Sequence, residues 1–181
     1  MNVPNVITTL RLLLLPAFLT LLVYRLPGAA LAVLLAAALS DALDGLIARR
    51  LNQRTAIGSF LDPLADKLLS VSGFVTLTFL GPIPAWFVIT VISRDVIISL
   101  GSLVLYLHEG RLEIAPSLAG KAATLCQFLT LALTLVVQIT GAGAAAWRWL
   151  LLATAALTVI SGLQYLWRGL AIAGTKPAAD A

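Results

Sequence analysis

The sequence predicts an all-α integral membrane protein whose six transmembrane helices form one bundle. Composition, run length and the absence of alternation predict it. Hydrophobic residues make up 60% of the 181-residue chain and charged residues 11%, against about 25% charged in an average globular chain, and mean hydropathy is +1.01. The apolar residues fall in runs of about 20, the length that crosses a hydrocarbon core as a helix, and lack the period-2 pattern of barrel strands. Inside a bilayer the backbone must satisfy its own polar groups, which leaves helices as the solution.

The spans are expected near residues 6–24, 28–48, 60–80, 83–107, 118–140 and 146–170. The first contains Leu12 to Tyr24, followed by "GAALA". That arrangement mimics a signal peptide, but Met1 to Leu10 carries no Lys or Arg and further spans follow, so the segment is read as a retained span. "RLPG" ends it. The second span runs into a group of aspartates and the third runs out of that group. "GPIP" divides the third from the fourth, which holds Arg94 and Asp95 near its middle. A polar loop is expected from His108, the only histidine, to Pro116, and "GAGAAAWR" separates the fifth span from the sixth. These breaks are Gly/Pro turn chemistry. Residues 1–173 read as one domain and 174–181 as a flexible tail.

A net charge of +4 and a pI near 9.7 do not point to nucleic acid, because the basic residues sort by loop. Arg49, Arg50 and Arg54 lie between spans two and three, Arg111 lies between four and five with Lys121 just beyond, and Arg168 and Lys176 lie at the end. The opposite side has Arg25 and Arg148. The positive-inside rule then turns both termini and the aspartates toward the cytoplasm. The lone Cys126 excludes an intrachain disulfide, and no Cys/His spacing suits a metal.

The stretch "SDALDGLIARRLNQRTAIGSFLDPLADK" places Asp41, Asp44, Asp62 and Asp66 where a membrane is expected. Asp41 and Asp44 are three apart and share a helical face; Asp62 and Asp66 are four apart and share another. "RRLNQRTAIG" between them is long enough to turn the chain back, so two antiparallel helices would point four carboxylates at one another. A charged side chain at mid-membrane costs about 3 kcal/mol on insertion scales. Protonation or cations would relieve that cost. Lys67 follows Asp66 directly and does not share its face, whereas divalent metals prefer hard oxygen ligands and work beside phosphates. Two such ions clamp the attacking and leaving oxygens in a displacement at phosphorus. Gly45, Ala48 and Gly58 leave room for a ligand, or equally for close helix packing.

Asp41-x-x-Asp44-Gly45-x-x-Ala48-Arg49, followed by Gly58-x-x-x-Asp62-x-x-x-Asp66, resembles the complete signature of the CDP-alcohol phosphotransferases. The resemblance covers about residues 4 to 170, including "PNVITTLR" and "FLDPLADKLL", which are similar to the phosphatidylglycerophosphate synthases. It implies a six-helix homodimer in the bacterial cytoplasmic membrane, with its active site facing the cytoplasm. Such an enzyme transfers a phosphatidyl group from CDP-diacylglycerol to an alcohol and releases CMP. Carried over, Asp41, Asp44 and Asp62 hold two divalent ions, Mg²⁺ or Mn²⁺. Asp66 is the base, with a metal contact as well. Gly45, Ala48, Arg49 and Gly58 line the cytidine-diphosphate site, and Asn5 and Thr8 touch the nucleotide or the aspartate-bearing helix.

The acceptor is expected to be glycerol 3-phosphate. Arg94 and Asp95 are neighbours on one helix, so each is expected to need a partner elsewhere. Arg94 pairs with a signature aspartate or binds an anionic acceptor; Lys121 snorkels to the interface or binds the same anion. In the resembling glycerophosphate-using enzymes, basic residues at these places contact the acceptor phosphate. Asp95 replaces a common Glu, and Ala123 stands where a second Lys is usual. "NQRTAIGSFLDPLADK" and "VISRDVIIS" also resemble cardiolipin synthases, whose acceptor is phosphatidylglycerol. Intramembrane carboxylates beside Arg and Lys also occur in cation or proton transporters, but the chain has no inverted repeat or Gly/Pro-broken helix pair.

Overall fold

The computed structural model describes the backbone of residues 3–51, 56–109 and 117–174, and the side chains of 13–40, 67–101 and 117–168. These residues form six α-helices: α1 (Val3–Val23), α2 (Pro27–Leu51), α3 (Ala56–Leu80), α4 (Ala85–Glu109), α5 (Leu118–Thr140) and α6 (Ala144–Gly174). Each apolar run expected to be helical is helical. α4 continues through His108, where the sequence suggests a loop. A polar residue alone does not end a helix. α2 likewise passes the expected residue 48 through good helix formers, "ARRL".

The turns follow local chemistry. Arg25 takes a left-handed conformation (φ 55°), and the Leu26 N–H donates to Leu21 O at 2.9 Å, closing α1 in a Schellman arrangement. Pro27 then opens α2, where a missing N–H costs no helical bond. Ser117 caps α5, its hydroxyl accepting from the Gly120 N–H at 3.0 Å. Gly141, at φ 69°, ends α5 by donating to Val137 O at 2.8 Å.

Packing arranges the helices in a ring, α1–α2–α5–α6–α4–α3 and back to α1, with α3 also touching α5 across the middle. Phe18, Leu34, Phe74, Leu77, Phe87 and Leu131 fill the interior and are fully buried. Phe74 meets Phe87 edge-on, with centroids 5.3 Å apart. Gly73 permits the α1–α3–α5 junction: a Cβ there would lie 2.9 Å from Phe18 Cε1 and 3.3 Å from Leu131 Cδ2.

A polar seam joins α5 to α6. The Thr130 and Thr154 hydroxyls are 2.8 Å apart, Gln127 Nε2 donates to Thr158 Oγ1 at 3.3 Å, and Trp147 Nε1 donates to Thr134 Oγ1 at 2.9 Å. Such bonds hold helices together where apolar surroundings supply no hydrophobic drive.

Among the described residues two helical segments, Leu118–Thr140 and Ala144–Arg168, are long and apolar enough to cross a membrane. Large apolar side chains also cover the outside of the ring: Phe79 is 86% exposed and Trp149 74%.

Candidate functional site

The backbone places Asp41, Asp44, Gly45, Ala48 and Arg49 in the second half of α2, and Gly58, Asp62 and Asp66 in the first half of α3. Asn5 and Thr8 lie in the first two turns of α1. The side chains of all these residues lie outside the described ones, as does the expected convergence of the four carboxylates.

The surroundings of the aspartate positions are described. Leu34 and Ala37 precede Asp41 by seven and four residues, and Ser70 follows Asp66 by four, so they continue the aspartate-bearing faces one or two turns further along. Leu34, Ala37 and Ala38 of α2, Leu69 and Ser70 of α3, and Lys121, Thr124 and Gln127 of α5 line a cavity of about 440 Å³. Among the described residues α2 packs on α1 and α5, while α3 packs on α1, α4 and α5. The space between the two aspartate-bearing helices is therefore open one turn beyond the carboxylates.

A cluster of charges joins α3 and α4. Arg94, midway along α4, is only 9% exposed. Its Nη1 donates to Asp95 Oδ1 and its Nη2 to Ser161 Oγ on α6, both at 2.8 Å. Its Nε is buried without an acceptor among the described residues. Two small residues seat the side chain. A Cβ on Gly120 would lie 3.1 Å from Arg94 Nη2, and one on Gly162 would lie 3.4 Å from Arg94 Cγ. Asp95 Oδ1 also receives Lys67 of α3, whose Nζ is 3.5 Å away.

Adjacent residues on a helix diverge at Cβ, so Arg94 and Asp95 are expected not to satisfy each other fully and each to need a partner on another helix. Both partners are present, Ser161 of α6 for Arg94 and Lys67 of α3 for Asp95. The arginine side chain is also long enough to bend back and form an ion pair with Asp95 directly. Lys121 is exposed on α5 and lines the cavity, whereas the preceding Gly120 faces Arg94. Arg94 of α4 thus packs against the α5 start at Gly120, Lys121 stands one residue further on α5, and among the described contacts none joins the two. Lys67, Gly120 and Ser161 were not anticipated. Lys67 carried a signal, a charge inside an apolar run. Ser161 carried none, because its role depends on how α6 packs against α4.

Brought together, four carboxylates spaced three and four apart on two helices would make a hard-oxygen donor set of the kind a divalent cation prefers. Among the described residues no group of three or more acidic, histidine or cysteine side chains gathers.

Comparison with known proteins identifies the family. The family described as CDP-alcohol phosphatidyltransferase matches residues 1–160. An Escherichia coli protein named CDP-diacylglycerol–glycerol-3-phosphate 3-phosphatidyltransferase is 37% identical over 179 residues, covering 91% of this chain and 93% of the relative. A Mycobacterium tuberculosis protein named as a phosphatidylglycerophosphate synthase is 35% identical over 93% of this chain and 82% of its own length. A Mycobacterium bovis protein named as a cardiolipin synthase is 38% identical over 68% of this chain and 59% of its own length. The aspartate signature, the family match over residues 1–160 and the near-full-length likeness to the first two of these relatives lead to one conclusion: the chain belongs to the CDP-alcohol phosphatidyltransferase family.

Proposed function

We propose that this enzyme transfers the phosphatidyl group of CDP-diacylglycerol to glycerol 3-phosphate, giving phosphatidylglycerophosphate and CMP. The observation that carries the reading is the intact signature on α2 and α3, in a chain that matches a glycerol-3-phosphate phosphatidyltransferase over 91% of its length.

In this reading all six helices span the bacterial cytoplasmic membrane and the enzyme is a homodimer. The apolar exterior of the ring supports the bilayer. The arginine-rich turn between α2 and α3 faces the cytoplasm with the active site. Residues 1–173 act as one domain, with the remainder a tail.

Asp41, Asp44, Asp62 and Asp66 hold the divalent ions, Mg²⁺ or Mn²⁺, which supply charge compensation at the pyrophosphate. Asn5, Thr8, Gly45, Ala48, Arg49 and Gly58 surround the cytidine diphosphate, the small residues admitting it close to the helix backbone. Asp66 accepts the proton of the acceptor hydroxyl. The freed oxygen bonds to the phosphatidyl phosphorus as the bond from that phosphorus to the bridging oxygen breaks, and CMP leaves with the electron pair. A positioned base contributes about 10²- to 10⁴-fold to such a step. Arg94 draws the phosphate of glycerol 3-phosphate toward the buried side of the site, and Lys121 adds positive charge at the cavity.

The cardiolipin synthase reading has support from the mycobacterial relative, but that likeness spans 68% of the chain. The two readings separate when purified protein receives CDP-diacylglycerol with either glycerol 3-phosphate or phosphatidylglycerol. Phosphatidylglycerophosphate formed with the first acceptor supports the proposal; cardiolipin formed only with the second replaces it. Ion flux without CMP release would favour a transporter instead.

A further inference from the structure

We infer that Lys67, together with Arg94, forms the seat for the phosphate of the acceptor, with Asp95 holding the two cations together. This rests on the glycerol 3-phosphate reading and adds a residue that neither the family signature nor the relatives' names identify.

Lys67 Nζ and Arg94 Nη1 converge on one atom, Asp95 Oδ1, at 3.5 and 2.8 Å. The two positive groups are therefore no further apart than the sum of those contacts, close enough for one phosphate to touch both. Among the described residues two positive charges share one negative charge, so the cluster keeps an excess of one. An uncompensated charge in a largely buried place is costly, and an incoming anion would remove that cost.

Exposure is graded across the cluster. The Arg94 side chain is 10% exposed, Asp95 13% and Lys67 41%. An anion arriving from the open side meets Lys67 first and Arg94 behind it. Arg94 retains a buried Nε–H with no acceptor among the described residues, so its donors are not exhausted by Asp95 and Ser161. Ser161 holds the far edge of the guanidinium, while Gly120 and Gly162 leave no slack around it.

Position supports the same role. Lys67 directly follows Asp66 on α3, so an acceptor seated there lies on the same helical turn as the aspartate position assigned the base role. Glycerol 3-phosphate carries its phosphate and its hydroxyls on one three-carbon chain. Lys121 lines the α2–α5 side of the cavity and is exposed, which makes it the weaker candidate for the second cation.

The alternative is that Lys67 and Asp95 only tie α3 to α4. Kinetics separate the two. With the full chain in detergent–lipid micelles, Mg²⁺ and saturating CDP-diacylglycerol, Lys67→Gln should raise KM for glycerol 3-phosphate about tenfold, the lower end expected for a charge-assisted contact on a partly exposed group. KM for CDP-diacylglycerol should stay within about twofold, and Lys67→Arg should restore most of the loss. A parallel rise in both KM values would show a structural tie and overturn the inference. Arg94→Ala run alongside tells the layers apart. If it raises the acceptor KM while Lys67→Gln does not, Lys67 is not in the seat. If neither variant changes it, the acceptor-phosphate reading of Arg94 itself falls.

The wild-type protein gives a test that needs no variant. Amine acetylation followed by peptide mass spectrometry should show Lys67 protected by glycerol 3-phosphate and not by glycerol, with Lys176 as the internal comparison. Equal labelling of Lys67 with and without glycerol 3-phosphate would contradict the inference.

Discussion

Arg94 on α4 and Ser161 on α6 are joined by a 2.8 Å hydrogen bond from Nη2 to Oγ, and Gly120 of α5 closes over the same atoms. A Cβ at position 120 would come within 3.1 Å of Nη2 and 3.3 Å of Ser161 Oγ. Gly120→Ala should therefore push the guanidinium out of place. Acceptor KM should rise several-fold, and Gly120→Val should raise it further. Helix propensity gains up to about 1 kcal/mol from Gly to Ala, so the thermal midpoint of the alanine variant should change little. Kinetics and a melting curve on one preparation check both halves.

Gly73 tests the fold rather than the chemistry. Its missing side chain lets Phe18 and Leu131 meet against α3. Gly73→Val overfills that junction and should cost about 1–3 kcal/mol, seen as a lower melting temperature. At low temperature, CMP release per folded molecule should remain close to that of the wild type.

The aspartates are expected to divide into two kinds. Asp41→Asn, Asp44→Asn and Asp62→Asn should each weaken divalent-ion binding and cut turnover by well over tenfold, because ligands of one site act as a unit. Asp66→Asn should remove most of kcat while CDP-diacylglycerol and metal still bind. Isothermal titration beside CMP release distinguishes these outcomes; binding lost in step with turnover would make Asp66 chiefly a ligand.

Orientation is open to labelling. In a Cys126→Ala background, a cysteine at Gln53 should react with impermeant reagents only from the cytoplasmic side, and one at Gly141 only from the opposite side. The reverse pattern would overturn the orientation drawn from the arginines.

The helices were readable because long apolar runs and Gly/Pro breaks are local properties. α5 falls on 118–140 as the sequence suggests, and the capping Ser117 and left-handed Gly141 explain why. α4 runs through His108, where the sequence suggests a loop, because a single polar residue does not end a helix. The aspartate spacing was legible for the same local reason. The ring order was not, since nothing in α6 announces that it packs between α4 and α5. The Arg94–Ser161 bond spans 67 residues, and the Lys67–Asp95 pair depends on how α3 meets α4. Charges inside apolar runs show that partners are needed, but only the packing says which partners.

Phosphatidyl transfer at the four aspartates should require a divalent metal and take glycerol 3-phosphate as acceptor. The most direct measurement follows labelled glycerol 3-phosphate into lipid and CMP into solution from the same reaction, with purified protein and CDP-diacylglycerol, first in excess chelator and then with Mg²⁺ or Mn²⁺ restored. The account predicts no product in chelator and, after metal is restored, one CMP for each phosphatidylglycerophosphate formed. Full turnover in excess chelator, or CMP released without label entering lipid, would contradict it.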